Sequence, residues 1–348
     1  MTETVCLSQP ADYLAIVPYL LGFHPAMSLV ILAFDDQTLV SGIRHDLPHA
    51  DDEATDIVAL SLKILARQEI RQIAVIGYGP ADVVTPMLDR MREAVAPTDI
   101  LLLKLLRCEG DRYWSSPDAD PPEGTPYDIT TSQAAAAAVV AGLAALPARR
   151  AFATRLQPVD GPDRDAVRTA TRAARERAAS LLATSTTPRY WYEEGLRAVH
   201  AAFAHQGAGE PLTPEEVAWL SVLLTSIVVR DVAITTTRAY PASDHIALWT
   251  EMVRRAEPGY VAAPATLLAV AAYGCGAGPL ARIAVDRALA DSRDYTMALL
   301  VDCALNNGVP PSAIHEMHAA VTAEVLQAQL ELSPEAALPK LPIPPEGR

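Results

Sequence analysis

The chain is 348 residues long, half of them hydrophobic and only 5% aromatic, with a formal net charge of −14. That length and apolar content suffice for two domains with their own cores, filled mainly by alanine, leucine and valine. The acidic balance argues against broad nonspecific binding to nucleic-acid phosphates, which needs a basic surface.

In chain order, the pattern predicts a helix over 12–21, a strand over 28–34, a turn at Asp35-Asp36-Gln37-Thr38 and a second strand over 39–47. A four-residue turn between consecutive strands makes them an antiparallel hairpin. A helix follows over 51–67, where Ile57, Leu60, Ile64 and Leu65 recur at helical spacing. Gly77-Tyr-Gly-Pro80 separates a strand at 72–76 from a helix at 81–95. A strand at 100–106 and, past the Cys108-Glu-Gly-Asp111 turn, a short strand at 112–115 complete the set. The fold class this predicts is α/β followed by all-α. An N-terminal mixed-sheet α/β sandwich (residues 1–130) precedes a C-terminal helical domain (131–333) and a proline-rich extended tail (334–348).

The change of texture falls in 116–126, where four prolines stand among small and acidic residues, the composition of a surface loop or linker. An alanine-rich helix is expected over 132–146, then a break near 158–162. Further helices are expected near 163–183, 188–206, 213–235, 241–256, 263–273, 278–290, 293–307 and 310–332, with glycine and proline at the breaks. The pair at 263–290 is similar to a tetratricopeptide-type hairpin. It has no convincing second copy at the same period, and an ordinary antiparallel helix pair is the preferred reading.

The apolar run at 14–23 is interrupted by Pro18 and lacks a basic lead, so it does not read as a leader. No uncharged, strongly apolar run reaches the roughly 20 residues that a membrane helix needs. Cys6, Cys108, Cys275 and Cys303 are far apart and form no CxxC pair. The expectation is a cytoplasmic protein with reduced thiols.

Several segments stand out together. They are Val17-Pro-Tyr-Leu-Leu-Gly-Phe-His-Pro25 with Ser28-Leu-Val30, Arg44 with Asp46-Leu-Pro48, and Gly110-Asp-Arg-Tyr-Trp-Ser115. Gly124-Thr-Pro126, Val229-Arg-Asp231 and Ala281-Arg-Ile-Ala-Val-Asp-Arg-Ala-Leu289 continue the series. In this order the chain resembles the bacterial domain-of-unknown-function family numbered 4192. The resemblance implies no activity, substrate or cofactor, so the cofactor stays unknown.

The candidate pocket residues are Phe23, His24, Ser28, Arg44, Asp46, Arg112 and Trp114. Arg44 and Asp46 lie two apart on a strand and share a face, as a ligand-binding pair or a structural ion pair. Gly22-Phe-His-Pro25 is either a pocket loop beside the first strand or a rigid helix-to-strand turn. Arg112-Tyr-Trp114 offers a ring and a cation that could stack a planar ligand, or an anchor to the following domain.

Arg230 and Asp231, flanked by apolar residues, read as a buried or interdomain pair. Arg164, Arg168, Arg172 and Arg175 lie along one helix face, and residues 145–185 hold 8 Arg against 4 Asp/Glu. Arg168 and Arg172 are therefore candidates for docking on an acidic surface, unless the stripe merely faces water.

The densest metal-like cluster, His45-Asp-Leu-Pro-His49 with Asp51, Asp52 and Glu53, alternates faces, and no metal site is expected from it. His315-Glu-Met-His318 lacks the HExxH spacing. Gly77-Tyr-Gly-Pro80 lacks both phosphate-loop patterns, and neither GxSxG nor SxxK occurs.

No catalytic residue is assigned. The expected function is a ligand-binding or protein-interaction module with a cleft between the α/β and helical domains. Its partner is a small-molecule ligand or a protein, with no nucleic acid and no membrane. The alternative is an enzyme, a hydrolase or transferase acting on a small molecule at the sheet rim. A polar pocket shared by His24, Ser28, Arg44, Asp46, Arg112 and Trp114 favours the enzyme; scattering them into separate salt bridges and core contacts favours the binding module.

Overall fold

A computed structural model describes residues 7, 9–36, 38–115, 120–140, 145–184, 187–236, 239–313, 316, 321 and 323–342. The chain divides into two compact units, residues 1–151 and 152–348. The division falls past the proline-rich segment at 116–126, so the alanine-rich segment after it belongs to the first unit.

The first unit contains α1 (Pro10–Leu21), β1 (Ser28–Asp35), β2 (Thr38–Asp46), α2 (Asp51–Arg67), β3 (Gln72–Tyr78), α3 (Ala81–Val95) and β4 (Leu101–Glu109). β5 (Arg112–Trp114), β6 (Thr125–Pro126) and α4 (Gln133–Val140) follow, and α5 (Arg149–Arg155) runs across the division. The six strands form one mixed sheet in the order β2-β1-β3-β4-β5-β6. Only β3 and β4 are parallel, and α3 makes the crossover between them.

The strand alternation sorts the two faces. Leu29, Ile31, Ala33, Ile73 and Val75 pack against Val58 and Leu65 of α2 and Val84, Met87 and Met91 of α3. The opposite face carries Val30, Leu32, Phe34 and Ile76, all buried. There Tyr13 of α1 meets the edge of Phe34, with ring centroids 6.0 Å apart, and α4 packs on α1. Gly77 lies under α3, where a Cβ would come within 2.3 Å of a Val84 methyl. Close helix–sheet approach fixes glycine at that position.

The second unit is helical: α6 (Pro162–Ala183), α7 (Pro188–Ala208), α8 (Pro214–Leu223), α9 (Ile227–Thr235), α10 (Ala242–Arg255), α11 (Ala262–Gly274), α12 (Gly278–Asp291), α13 (Thr296–Asn306) and α14 (Ala323–Leu332). Its core joins Trp191, Phe203 and Trp249 to a field of small residues, and every residue from Ala262 to Tyr273 of α11 is buried. α11 and α12 pack on each other as a pair.

The single helix predicted over 213–235 is two helices, bent by 110° between α8 and α9. The reason is local. The Ser226 hydroxyl accepts the N–H of Val229 and caps α9, which restarts the chain in a new direction. Ser226 also donates to the Ala336 carbonyl at 3.0 Å, and the Lys340 N–H donates to Thr225 Oγ1 at 3.0 Å. Residues 334–342 are thereby fastened to the bend, and Pro334–Ala337 is a 3-10 turn where an extended run was expected. Parts of the helix predicted over 310–332, and residues 343–348, lie outside the described residues.

Among the described residues, no single helix is long and apolar enough to cross a membrane.

Candidate functional site

Six of the seven sequence candidates fall into two clusters. The first surrounds Ser28 at the start of β1. Ser28 is directly opposite Asp46 and Val30 opposite Arg44, so Ser28, Arg44 and Asp46 share the α1 face. The buried Ser28 hydroxyl donates to the Ala26 carbonyl at 2.7 Å. It accepts from Arg44 through Nε at 3.1 Å and Nη2 at 2.7 Å. Arg44 also pairs with Asp46, and its guanidinium carbon lies 5.9 Å from the centre of the Phe23 ring.

The neighbouring loop is held by backbone. His24 N–H donates to Leu146 O, and Leu146 N–H to Gly22 O. His24 enters through its backbone N–H and is itself exposed. The Ser28 hydroxyl thus donates to a backbone carbonyl and accepts twice from Arg44, which fixes the guanidinium beside it.

The second cluster lies across the sheet. Trp114 is opposite Arg107, Arg107 opposite Gly77, and Gly77 opposite Leu29. That register puts Trp114 and Arg112 on the α2/α3 face, away from Arg44. Four strand spacings separate β2 from β5, about 19 Å. The single pocket expected of the candidates is therefore not formed: the register sends the side chains of Arg44 and Trp114 to opposite faces.

Trp114 lies under the Arg107 guanidinium at 3.5 Å, covers Gly124 and donates its indole N–H to Pro122 O. Arg112 donates to the carbonyls of Glu123 and Gly124. Both side chains hold the 121–124 loop.

The metal-like cluster diverges in the same way. His45 faces α2, where its Nε2 lies 3.1 Å from the Ser61 hydroxyl. Burial pushes this imidazole down to about 4, and the Arg44 charge adds to the fall. Asp46 turns to the other face, while Glu53 accepts the His49 N–H at the start of α2. His315 and His318 lie outside the described residues.

A polar row missed in the sequence crosses the α1 face. Ser28, Tyr78 and Cys108 are successive cross-strand partners. The Cys108 thiol lies 3.1 Å from the Tyr127 hydroxyl, and burial raises it to about 11. Tyr78 is buried, and its hydroxyl has no hydrogen-bond partner among the described residues. A thiol held neutral beside two neutral phenols is a structural row, not a nucleophile.

In the second unit, Arg230 donates twice to Asp231, and burial raises the Asp231 carboxyl. Arg164 and Arg168 of the basic helix face Glu257 at 3.7 and 3.5 Å within the same unit. Arg172 is exposed.

The same unit holds a cavity of about 180 Å³ between α7 and α8, which none of the sequence candidates lines. Its apolar wall is Ala198, Ala201, Ala202, Leu212, Trp219 and Leu220, and its polar side is Glu194, Arg197 and Glu216. Glu194 is only 8% exposed. Its Oε1 accepts the Trp219 indole N–H at 2.7 Å and faces Arg177 at 3.5 Å, while Oε2 pairs with Arg197. The Arg177 guanidinium lies 3.9 Å over the Trp219 ring.

The sequence does carry a signal for this site. Glu194 interrupts the apolar stripe Trp191, Ala198, Ala202 at helical spacing, where a carboxylate is unusual unless paired.

The chain belongs to the family described as a domain of unknown function, DUF4192, whose model matches residues 10–312. No curated protein matches the chain, and no solved structure does.

Proposed function

We propose that the chain is a binding module, with the α7–α8 cavity as the seat for a small ligand. The observation that carries this reading is an apolar concavity bordered by one buried, fully engaged carboxylate. A mostly apolar wall with a few fixed polar groups is the usual composition of a ligand site. At about 180 Å³ it is slightly larger than cavities that take up benzene, roughly 150 Å³.

The enzyme reading calls for His24, Ser28, Arg44, Asp46, Arg112 and Trp114 in one pocket. Arg44 pairs with Ser28 and Asp46, whereas Arg112 and Trp114 bond to carbonyls of the 122–124 loop. Reduced, unpaired thiols at Cys108, Cys275 and Cys303 support placing the protein in a reducing compartment.

The test is a thermal-shift screen of small apolar compounds against the full chain and its Ala201→Phe variant. Ala201 is exposed on α7 at the cavity wall, so the added ring fills the space without disturbing the core. Compounds that raise Tm of the original chain and not of the variant support the reading. A set that shifts both equally, or neither, overturns it.

A further inference from the structure

We infer that the α7–α8 cavity selects a small amine with an apolar body. This rests on the cavity being a binding site and names the chemistry it prefers.

The argument is one of charge and exchange. Two carboxylates, Glu194 and Glu216, and one guanidinium, Arg197, line the cavity. Glu216 is already committed. Its Oε2 accepts from the N–H and hydroxyl of Thr213, and its Oε1 faces His205 Nε2 at 3.1 Å. Glu194 Oε1 is committed to the Trp219 indole.

Glu194 Oε2 differs. Its partner, Arg197, has a side chain 68% exposed, whereas that of Glu194 is 10% exposed. The cationic end of the pair keeps most of its hydration, which weakens its hold on the carboxylate. Arg197 is therefore a cation that can swing into water at small cost. A ligand ammonium can take its place on Oε2 while the ligand's apolar body fills the space against Ala198, Ala202, Leu212 and Leu220. Arg177 does not compete for that oxygen, because it lies over the Trp219 ring and faces Oε1. A ligand carboxylate would face the two glutamates instead. The chain's net charge of −14 also draws cations towards the surface and repels anions.

The test is isothermal titration calorimetry of the full chain with phenethylamine, phenethyl alcohol and 3-phenylpropionate. The amine is expected to bind about tenfold or more tighter than the alcohol, the scale of one hydrogen bond to a charged group. The propionate is expected not to bind. Ala201→Phe removes amine binding. Glu194→Gln lowers amine affinity about tenfold and alcohol affinity by less.

Arg197→Ala is the decisive variant. It removes the competing cation from a solvent-facing position and raises amine affinity. A purely structural role for Glu194 predicts no such gain, and this arm stands even where Glu194→Gln fails to fold. Unchanged or weaker amine binding by Arg197→Ala overturns the inference. Equal binding of amine and alcohol, both lost in Ala201→Phe, overturns the amine preference and leaves the cavity as a ligand site. Binding of none of the three probes overturns both.

Discussion

The carboxylate of Glu194 on α7 accepts the indole N–H of Trp219 on α8 at 2.7 Å, and so ties two helices through one buried charge. Replacing it with alanine leaves that N–H without its acceptor and two arginines without their partner. Glu194→Ala is expected to cost about 1–3 kcal/mol in urea unfolding. Trp219→Phe, which removes the donor together with its need for an acceptor, should cost less than the loss of Glu194. The reverse order would mean that the ring's packing, not the bond, joins the helices.

Gly195, the next residue, sets how near α7 approaches α9. A Cβ there would stand 2.4 and 2.7 Å from the two Val229 methyls. Gly195→Ala gains helix propensity, about 1 kcal/mol. The overlap, typically about 1–3 kcal/mol in a packed core, opposes it and should exceed it. A net loss of stability is expected, and Val229→Ala in the same chain should recover most of it. A double variant no more stable than Gly195→Ala alone would refute the steric account.

His45 gives the first unit a pH dependence of known sign. Its folded value of about 4 lies below the ordinary 6.5, because burial disfavours the imidazolium. The unfolded chain therefore binds a proton at a pH where the folded chain does not. Stability from this residue is complete above pH 6.5, declines as pH falls towards 4, and is flat below. The span is worth at most about 3 kcal/mol. His45→Asn should be less sensitive than the original chain between pH 6.5 and 4. Parallel stability curves for the two would assign the acid response elsewhere.

Cys108 should be the slowest of the described thiols to alkylate. Burial raises its thiol to about 11, so only about a thousandth is thiolate at pH 8. Cys275 and Cys303 are exposed. Peptide mapping after brief iodoacetamide treatment should find label on those two first. Early label on Cys108 would show that the Tyr78–Cys108–Tyr127 row opens readily.

Local signals carried most of the fold. The Asp35–Thr38 turn and the buried run of β1 define the hairpin, and Gly274–Pro279 divides α11 from α12. The α8–α9 bend escaped notice because Val217 to Ile234 is apolar almost without pause, and only Ser226 caps the second helix. The candidate site escaped for a different reason. Arg44 and Trp114 group together in the sequence because both lie in segments that carry the family resemblance, but their facing depends on the register of every strand between them. That is a long-range property, which no single segment states.

The two margins of the sheet differ in kind. β6 is two residues long and ends on Pro126, which has no N–H to offer. β2 is nine residues long, pairs only with β1, and leaves Val40 49% exposed. Misassembly of this protein at high concentration therefore has one preferred geometry, strand addition along β2. The register shift between Ala33 and Phe34 disturbs the ladder near the turn end of that hairpin. The template that remains regular is the stretch from Gly42 to Asp46, where a foreign strand would meet Arg44 and His45 in alternation.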